Sequence, residues 1–208
     1  MNRDAMPRFS RRPLVAALAL VLTACQGQSA SPPGPSTAGV DLRGAAIGGP
    51  FALVDKTGKT VRWSDFAGKY RIVYFGYAYC PDVCPTDVQR FTQGLRLFAR
   101  ENPELARRIQ PIFITVDPER DTPAKVGEFA AAFSPDLLGL TGTPAQVEEA
   151  KAAFKVFSSK GEVQPAGGYL VDHTNITYLF DPAGKPLGTL PTDKGPQAVA
   201  EELARWVR

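Results

Sequence analysis

The chain has 208 residues, 44% of them hydrophobic and 22% charged, with three Cys and one His. Its formal charge of +3 lies wholly in the first 24 residues, which hold four Arg and one Asp, so that 20 basic face 20 acidic side chains in the remainder. A surface so balanced lacks the basic footprint of nucleic-acid binding, and the length beyond the leader suits one domain with one core.

Arg3, Arg8, Arg11 and Arg12 precede an apolar stretch from Leu14 to Leu22, followed by Thr23-Ala24-Cys25. A basic start, a short apolar run and small residues at the cut site make a secretory leader. The run falls short of the ~20 residues that a membrane-crossing helix needs. Leu22-Thr23-Ala24-Cys25 resembles the bacterial lipobox, which implies removal of residues 1–24 and lipidation of Cys25. The domain would then be anchored to a membrane of the cell envelope, standing in the periplasm or otherwise outside the cytoplasmic membrane. Ser10-Arg11-Arg12 is a weak twin-arginine signal, from which Pro13 departs. Residues 25–39 are mostly Gly, Ser, Pro, Thr and Ala without apolar period, a flexible tether. Residues 40–208 are the folded domain.

From there strand and helix signals alternate. Phe51-Ala-Leu-Val54 and Thr60-Val-Arg-Trp63 flank Asp55-Lys-Thr-Gly58, a hairpin. Ile72-Val-Tyr-Phe75 is apolar at consecutive positions, as in a strand buried on both faces. Val88, Phe91, Leu95 and Phe98 recur at helical spacing, so a helix opens at the turn before them. Pro111 to Val116 reads as the next central strand. Thr122-Pro123 and Thr143-Pro144 are N-caps with proline at the first helical position, starting helices that bury Val126, Phe129 and Phe133, then Val147, Ala150 and Phe154. Ile176–Phe180 and Pro186–Leu190 pair around Asp181-Pro-Ala-Gly184. Gln197 to Val207 closes the chain as a helix with Val199, Leu203 and Trp206 inward. This order predicts an α/β, thioredoxin-like fold: a central mixed sheet flanked by helices, with an N-terminal β-hairpin extension.

The turn between the first buried strand and its helix reads Cys80-Pro-Asp-Val-Cys84-Pro85. With Cys25 assigned to lipidation, these two cysteines have only each other, which in an oxidising compartment means a disulfide, a metal site or a redox couple. A purely structural disulfide closing so small a loop removes little chain entropy. Residues i and i+4 of a helical turn lie ~6 Å apart along the axis at ~1.5 Å per residue, close to disulfide reach, although Pro81 disfavours helical backbone at Cys80. Helix N-terminal amides favour a thiolate there. The single histidine, His173, adds an imidazole. Two thiolates and an imidazole suit both Cu(I) and Cu(II); zinc would want a fourth ligand. Asp82 could orient water or add a weak ligand, though a solvated or capping carboxylate is the plainer reading. Tyr77 and Tyr79 could shield the site or simply pack.

CPDVCP at 80–85, Asp117-Pro-Glu-Arg-Asp121-Thr-Pro123 and Val171-Asp-His173 together resemble the Sco/SenC family, the copper chaperones of cytochrome c oxidase assembly. The three motifs stand in order across residues 45–205. The resemblance implies one copper, as Cu(I) or Cu(II), bound by Cys80, Cys84 and His173, with Asp117 and Asp121 in a motif that flanks the ligands. It also implies delivery of copper to the binuclear site of oxidase subunit II, or reduction of that site's cysteines by a Cys80–Cys84 redox pair. Another periplasmic copper chaperone or a thiol-disulfide reductase would supply copper or electrons. A peroxiredoxin reading fails because the segment before Cys80 lacks the Pro-x-x-x-Thr-x-x-Cys setting. A thioredoxin carries a proline opposite its cysteines; here His173-Thr-Asn175 stands in the corresponding loop, which favours a ligand over general disulfide exchange.

Overall fold

The structure is a computed structural model that describes residues 38–163 and 167–208. The leader, Cys25 and the tether up to residue 37 lie outside the described residues. In chain order the elements are β1 (Ala52–Val54), β2 (Thr60–Arg62), β3 (Tyr70–Gly76), α1 (Val83–Glu101), α2 (Pro103–Ala106), β4 (Ile109–Thr115), α3 (Pro123–Phe133), β5 (Leu138–Leu140), α4 (Pro144–Phe154), β6 (Ser158–Val163), β7 (Tyr169–His173), β8 (Thr177–Phe180), β9 (Pro186–Leu190) and α5 (Pro196–Trp206).

Five strands form the central sheet in the order β5-β4-β3-β8-β9. β3 runs parallel to β4, and β4 to β5, whereas β8 is antiparallel to both β3 and β9. This mixed sheet and the small β1–β2 hairpin are the expected architecture. All seven residues of β3 are buried, which its unbroken apolar run foretells.

Alternation along β3 sends its side chains to two layers. Tyr74 meets Phe91 of α1, and its register neighbour Phe113 meets Phe129 of α3. Phe75 turns to the other face, where Phe154 of α4 packs with Phe51, Trp63, Tyr178 and Phe180. Each such ring removes apolar surface worth roughly 1.5–3 kcal/mol when fully buried. Arg71 shares that second face, its guanidinium 4.3 Å from the Trp63 ring and its Nη1 donating to the Asp181 carbonyl at 3.1 Å.

Helix starts follow the sequence closely. Thr122 and Thr143 each accept from the backbone N–H three residues on, at 3.3 Å, and a proline fills the first position of α3 and α4. The Asp55–Gly58 turn closes by a 2.9 Å bond from Gly58 N–H to the Asp55 carbonyl, with Gly58 at φ +81°. Three features too short or too exposed to stand out in the sequence are the four-residue α2, the three-residue β5 and the β6–β7 arm. β6 is Ser-Ser-Lys-Gly-Glu-Val with nearly every residue exposed, so no buried face marks it in the sequence. His173, expected in a loop, is the last residue of β7.

α1 and α5 lie against one another through Gly94, where an added Cβ would stand 2.5 Å from Val199 Cγ1 and 2.8 Å from the Pro196 carbonyl oxygen. Gly94→Ala gains about 1 kcal/mol of helix propensity but costs about 1–3 kcal/mol by overpacking. The expected result is a lower midpoint in urea denaturation; an equal or higher midpoint would show that α5 gives way freely.

Candidate metal centre

The cysteines sit where β3 ends and α1 begins. Cys80 lies in the turn before the helix, its N–H donating to the Tyr77 carbonyl at 3.2 Å, and Cys84 is the second residue of α1. Both are free thiols. Cys84 is fully buried, Cys80 only partly so. Gly76, the last residue of β3, makes room for the inner sulfur: a Cβ there would lie 3.1 Å from Cys84 Sγ and 2.9 Å from the Tyr74 ring.

The Cys84 N–H points at Cys80 Sγ at 3.4 Å, as the start of a helix allows. The Cys84 thiol also hydrogen-bonds to Cys80, and this contributes most to holding the Cys80 thiol far below its ordinary range, at about 3. The Cys84 thiol is pushed up, first by the same partnership with Cys80 and then by burial. The pair therefore holds one proton between two sulfurs, with the negative charge on the outer one.

His173 completes the group. Its Nε2 stands 3.1 Å from Cys84 Sγ, and its Nδ1 lies 3.0 Å from the Thr174 carbonyl oxygen. A carbonyl only accepts, so this network assigns the proton to Nδ1 and leaves the Nε2 lone pair aimed at the sulfurs. The rings of Tyr77 and Tyr74 meet the imidazole edge-on at 5.9 and 6.3 Å. Tyr77 is buried and lies against the site, whereas Tyr79 is 50% exposed. As the side chains stand, no group of three or more His, Cys, Asp or Glu among the described residues is spaced to hold an ion. Two sulfurs sharing a proton and one free imidazole lone pair are nonetheless a soft donor set that fits copper once that proton leaves.

Of the acids singled out in the sequence, Asp82 is exposed, makes no capping bond through its side chain and lines the groove beside Cys80. Asp121 is fully buried, and it acts on the loop rather than as a helix-start charge: its Oδ2 accepts from the Ala78 N–H at 2.8 Å and from Thr115 Oγ1 at 2.7 Å. Burial pushes its carboxyl up. Asp117 is buried and paired with Arg120. Sequence reasoning passed over Gly76, Arg120 and Tyr169. Arg120 stands inside the motif that was quoted, whereas nothing local marks Tyr169.

The groove over the cysteines, about 310 Å³, is lined by Cys80 and Val83 on one side and by Leu170 and His173 on the other. A larger cavity of about 580 Å³ between α1, α2 and β4 contains none of these residues.

The SCO1/SenC family model matches residues 40–208. The chain belongs to the SCO1/SenC family. Protein SenC of Rhodobacter capsulatus is 42% identical over 166 residues, covering 79% of this chain and 72% of that protein. The chain spans between 53 and 65% of the mitochondrial SCO2 relatives it matches. The structure of Bradyrhizobium japonicum ScoI with copper bound superposes with a TM-score of 0.70 at 38% identity, covering 78% of this chain and all of that one. BsSco, a member of the Sco family of cytochrome c oxidase assembly proteins in which a disulfide switch was identified, shares the fold at 24% identity and a TM-score of 0.60, covering 79% of this chain and 95% of that one.

The burial difference sets an order of reactivity. Iodoacetamide should modify Cys80 first and leave Cys84 unmodified in the folded protein, read by mass spectrometry of peptides. Because the Cys80 thiol is held at about 3, its rate should persist as pH falls from about 8 to about 5, where an ordinary thiol near ~8.5 slows about tenfold per unit. Labelling of Cys84 first, or an ordinary pH slope at Cys80, would contradict the arrangement.

Proposed function

We propose that this chain is a copper-binding Sco protein that holds one copper through Cys80, Cys84 and His173. The observation that carries this reading is the placement of the His173 Nε2 lone pair 3.1 Å from Cys84 Sγ, beside the Cys80 sulfur. Copper is cargo here. Thiolate sulfurs take Cu(I), and the imidazole extends the set to Cu(II). Loading requires release of the proton that the two sulfurs share, so oxidation of Cys80 and Cys84 to a disulfide would abolish it.

The proposed destination of the cargo is the binuclear copper site in subunit II of cytochrome c oxidase, a reading that membership of the family supports. Exposed Val83 and Leu170 line the groove and exposed Tyr79 and Ile176 flank it, the apolar rim that suits docking of a protein partner. Copper would arrive from another periplasmic chaperone. The leader, the lipidated Cys25 and the tether 25–39 would hold the domain 40–208 to the membrane from outside the cytoplasm. No helix among the described residues is long and apolar enough to cross a membrane.

A second reading, reduction of the subunit II cysteines, is favoured by the free, partly exposed Cys80 thiolate with a buried thiol behind it. Both tasks suit one site, since copper insertion needs reduced thiols on the recipient.

Anaerobic titration of the reduced protein should saturate at one copper, with a thiolate-to-Cu(II) charge-transfer band. His173→Ala should weaken Cu(II) by at least about 10- to 100-fold, the loss that removing even a partner that orients a metal ligand brings. Unchanged affinity in that variant would sink the three-ligand site. For the second reading, reduction of a subunit II peptide disulfide should survive in His173→Ala and vanish in Cys84→Ser; a wild-type protein that reduces no such peptide removes it.

A further inference from the structure

β7, which carries His173, is not part of the five-stranded sheet; its backbone ladder runs to β6 alone. The two sulfurs belong to a separate element, fixed by Gly76 and by the Asp121 bond to Ala78 N–H. His173 is joined to that sheet by the short link into β8 and by buried Val171, and the rest of the arm is held to the body by side-chain ties. Tyr77 is one, its hydroxyl oxygen accepting from the Val171 N–H at 3.2 Å.

The stronger tie is built on the acidic motif. One oxygen of buried Asp117 accepts from Arg120 Nε at 2.5 Å, and the other accepts from the Tyr169 hydroxyl at 2.8 Å. Arg120 Nη1 donates to the Tyr169 carbonyl at 2.8 Å. Its guanidinium carbon lies 3.6 Å from the Tyr169 ring centroid, and 5.3 and 5.7 Å from those of Tyr79 and Tyr77. One cation thus bridges the two elements: the tyrosines of the cysteine loop and the first residue of the histidine strand. A planar fork that stacks and hydrogen-bonds at once is specific to arginine. Outside it, Lys160 adds an exposed pair to Glu119 at 2.6 Å, worth little by itself.

We propose that Arg120, oriented by Asp117 and gripping Tyr169, is the positioning residue that sets the His173 imidazole against the cysteines, leaving the sulfurs to be placed independently. The proposal rests on His173 as a ligand. Loss of the clamp then separates two properties of the site. Cu(I), which two thiolates hold, keeps its affinity, whereas Cu(II), which needs the imidazole, loses it.

The test uses the full chain, reduced, with Arg120→Ala, Arg120→Lys and Tyr169→Phe. Without metal, hydrogen exchange at the Val171 amide should quicken about tenfold or more in Arg120→Ala, reporting local release of the arm. With metal, Cu(II) affinity should fall about 10- to 100-fold while Cu(I) affinity stays at the wild-type value. Arg120→Lys should behave like Arg120→Ala, and Tyr169→Phe should shift both readouts less in the same direction. Should Arg120→Ala fail to fold, the other two variants decide. Equal losses of Cu(I) and Cu(II), full rescue by lysine, or unchanged Val171 exchange would each overturn the clamp. Failure of the ligand reading is distinguishable: His173→Ala would then leave Cu(II) affinity intact, and the metal-free exchange would still decide whether Arg120 holds the arm.

Discussion

With a parallel neighbour on one edge and an antiparallel one on the other, β3 has both rows of its backbone groups paired and both faces covered. A strand so enclosed cannot shift register without moving a whole apolar set to the wrong face. The point where it ends is therefore fixed to the same degree, and that point is Gly76. Because Gly76 lacks a side chain, α1 can start close against the sheet and the Cys84 sulfur can lie where a Cβ would otherwise crowd it. The position of the inner thiol is thus inherited from the packing of the core.

The outer thiol owes its character to a different circumstance. Cys80 precedes the helix and faces the groove, where a helix N–H and the Cys84 thiol both point toward it. The partnership with Cys80, and then burial, push the Cys84 thiol up, so the shared proton stays with the inner sulfur and the charge collects on the outer one. Two cysteines four residues apart are thereby made unlike. The same asymmetry suits both the metal loading and the thiol exchange proposed for this site, since each begins with an accessible thiolate and ends by engaging the second sulfur.

The histidine comes from the far side of the groove, on an arm that buries little. Beyond buried Val171, that arm stays in place through a hydroxyl, a carboxylate and a guanidinium. Such contacts are directional and few, so they can position an imidazole without demanding a large interface. Ring edges of Tyr74 and Tyr77 bound the imidazole, and its Nδ1 proton is spent on Thr174.

The sequence by itself determined the buried strands, the proline-started helices and the two thiols at the strand-to-helix turn. Each rests on a local rule: apolar runs such as Ile72–Phe75, caps such as Thr122 and Thr143, and the fixed spacing of Cys80 and Cys84. It did not determine the β6–β7 arm, because Ser158–Val163 has no buried face to show a period, nor the true tasks of Asp117 and Asp121. Asp121 stands at a helix start, where a local charge effect explains it adequately, yet its carboxylate is turned inward to the cysteine loop. Only the tertiary structure decided that Tyr169, 52 residues from Asp117, would share that carboxylate, and that His173, 89 residues from Cys84, would lie 3.1 Å from its sulfur. Contacts across such separations depend on how the sheet orders its strands, and no local pattern of residues encodes that order.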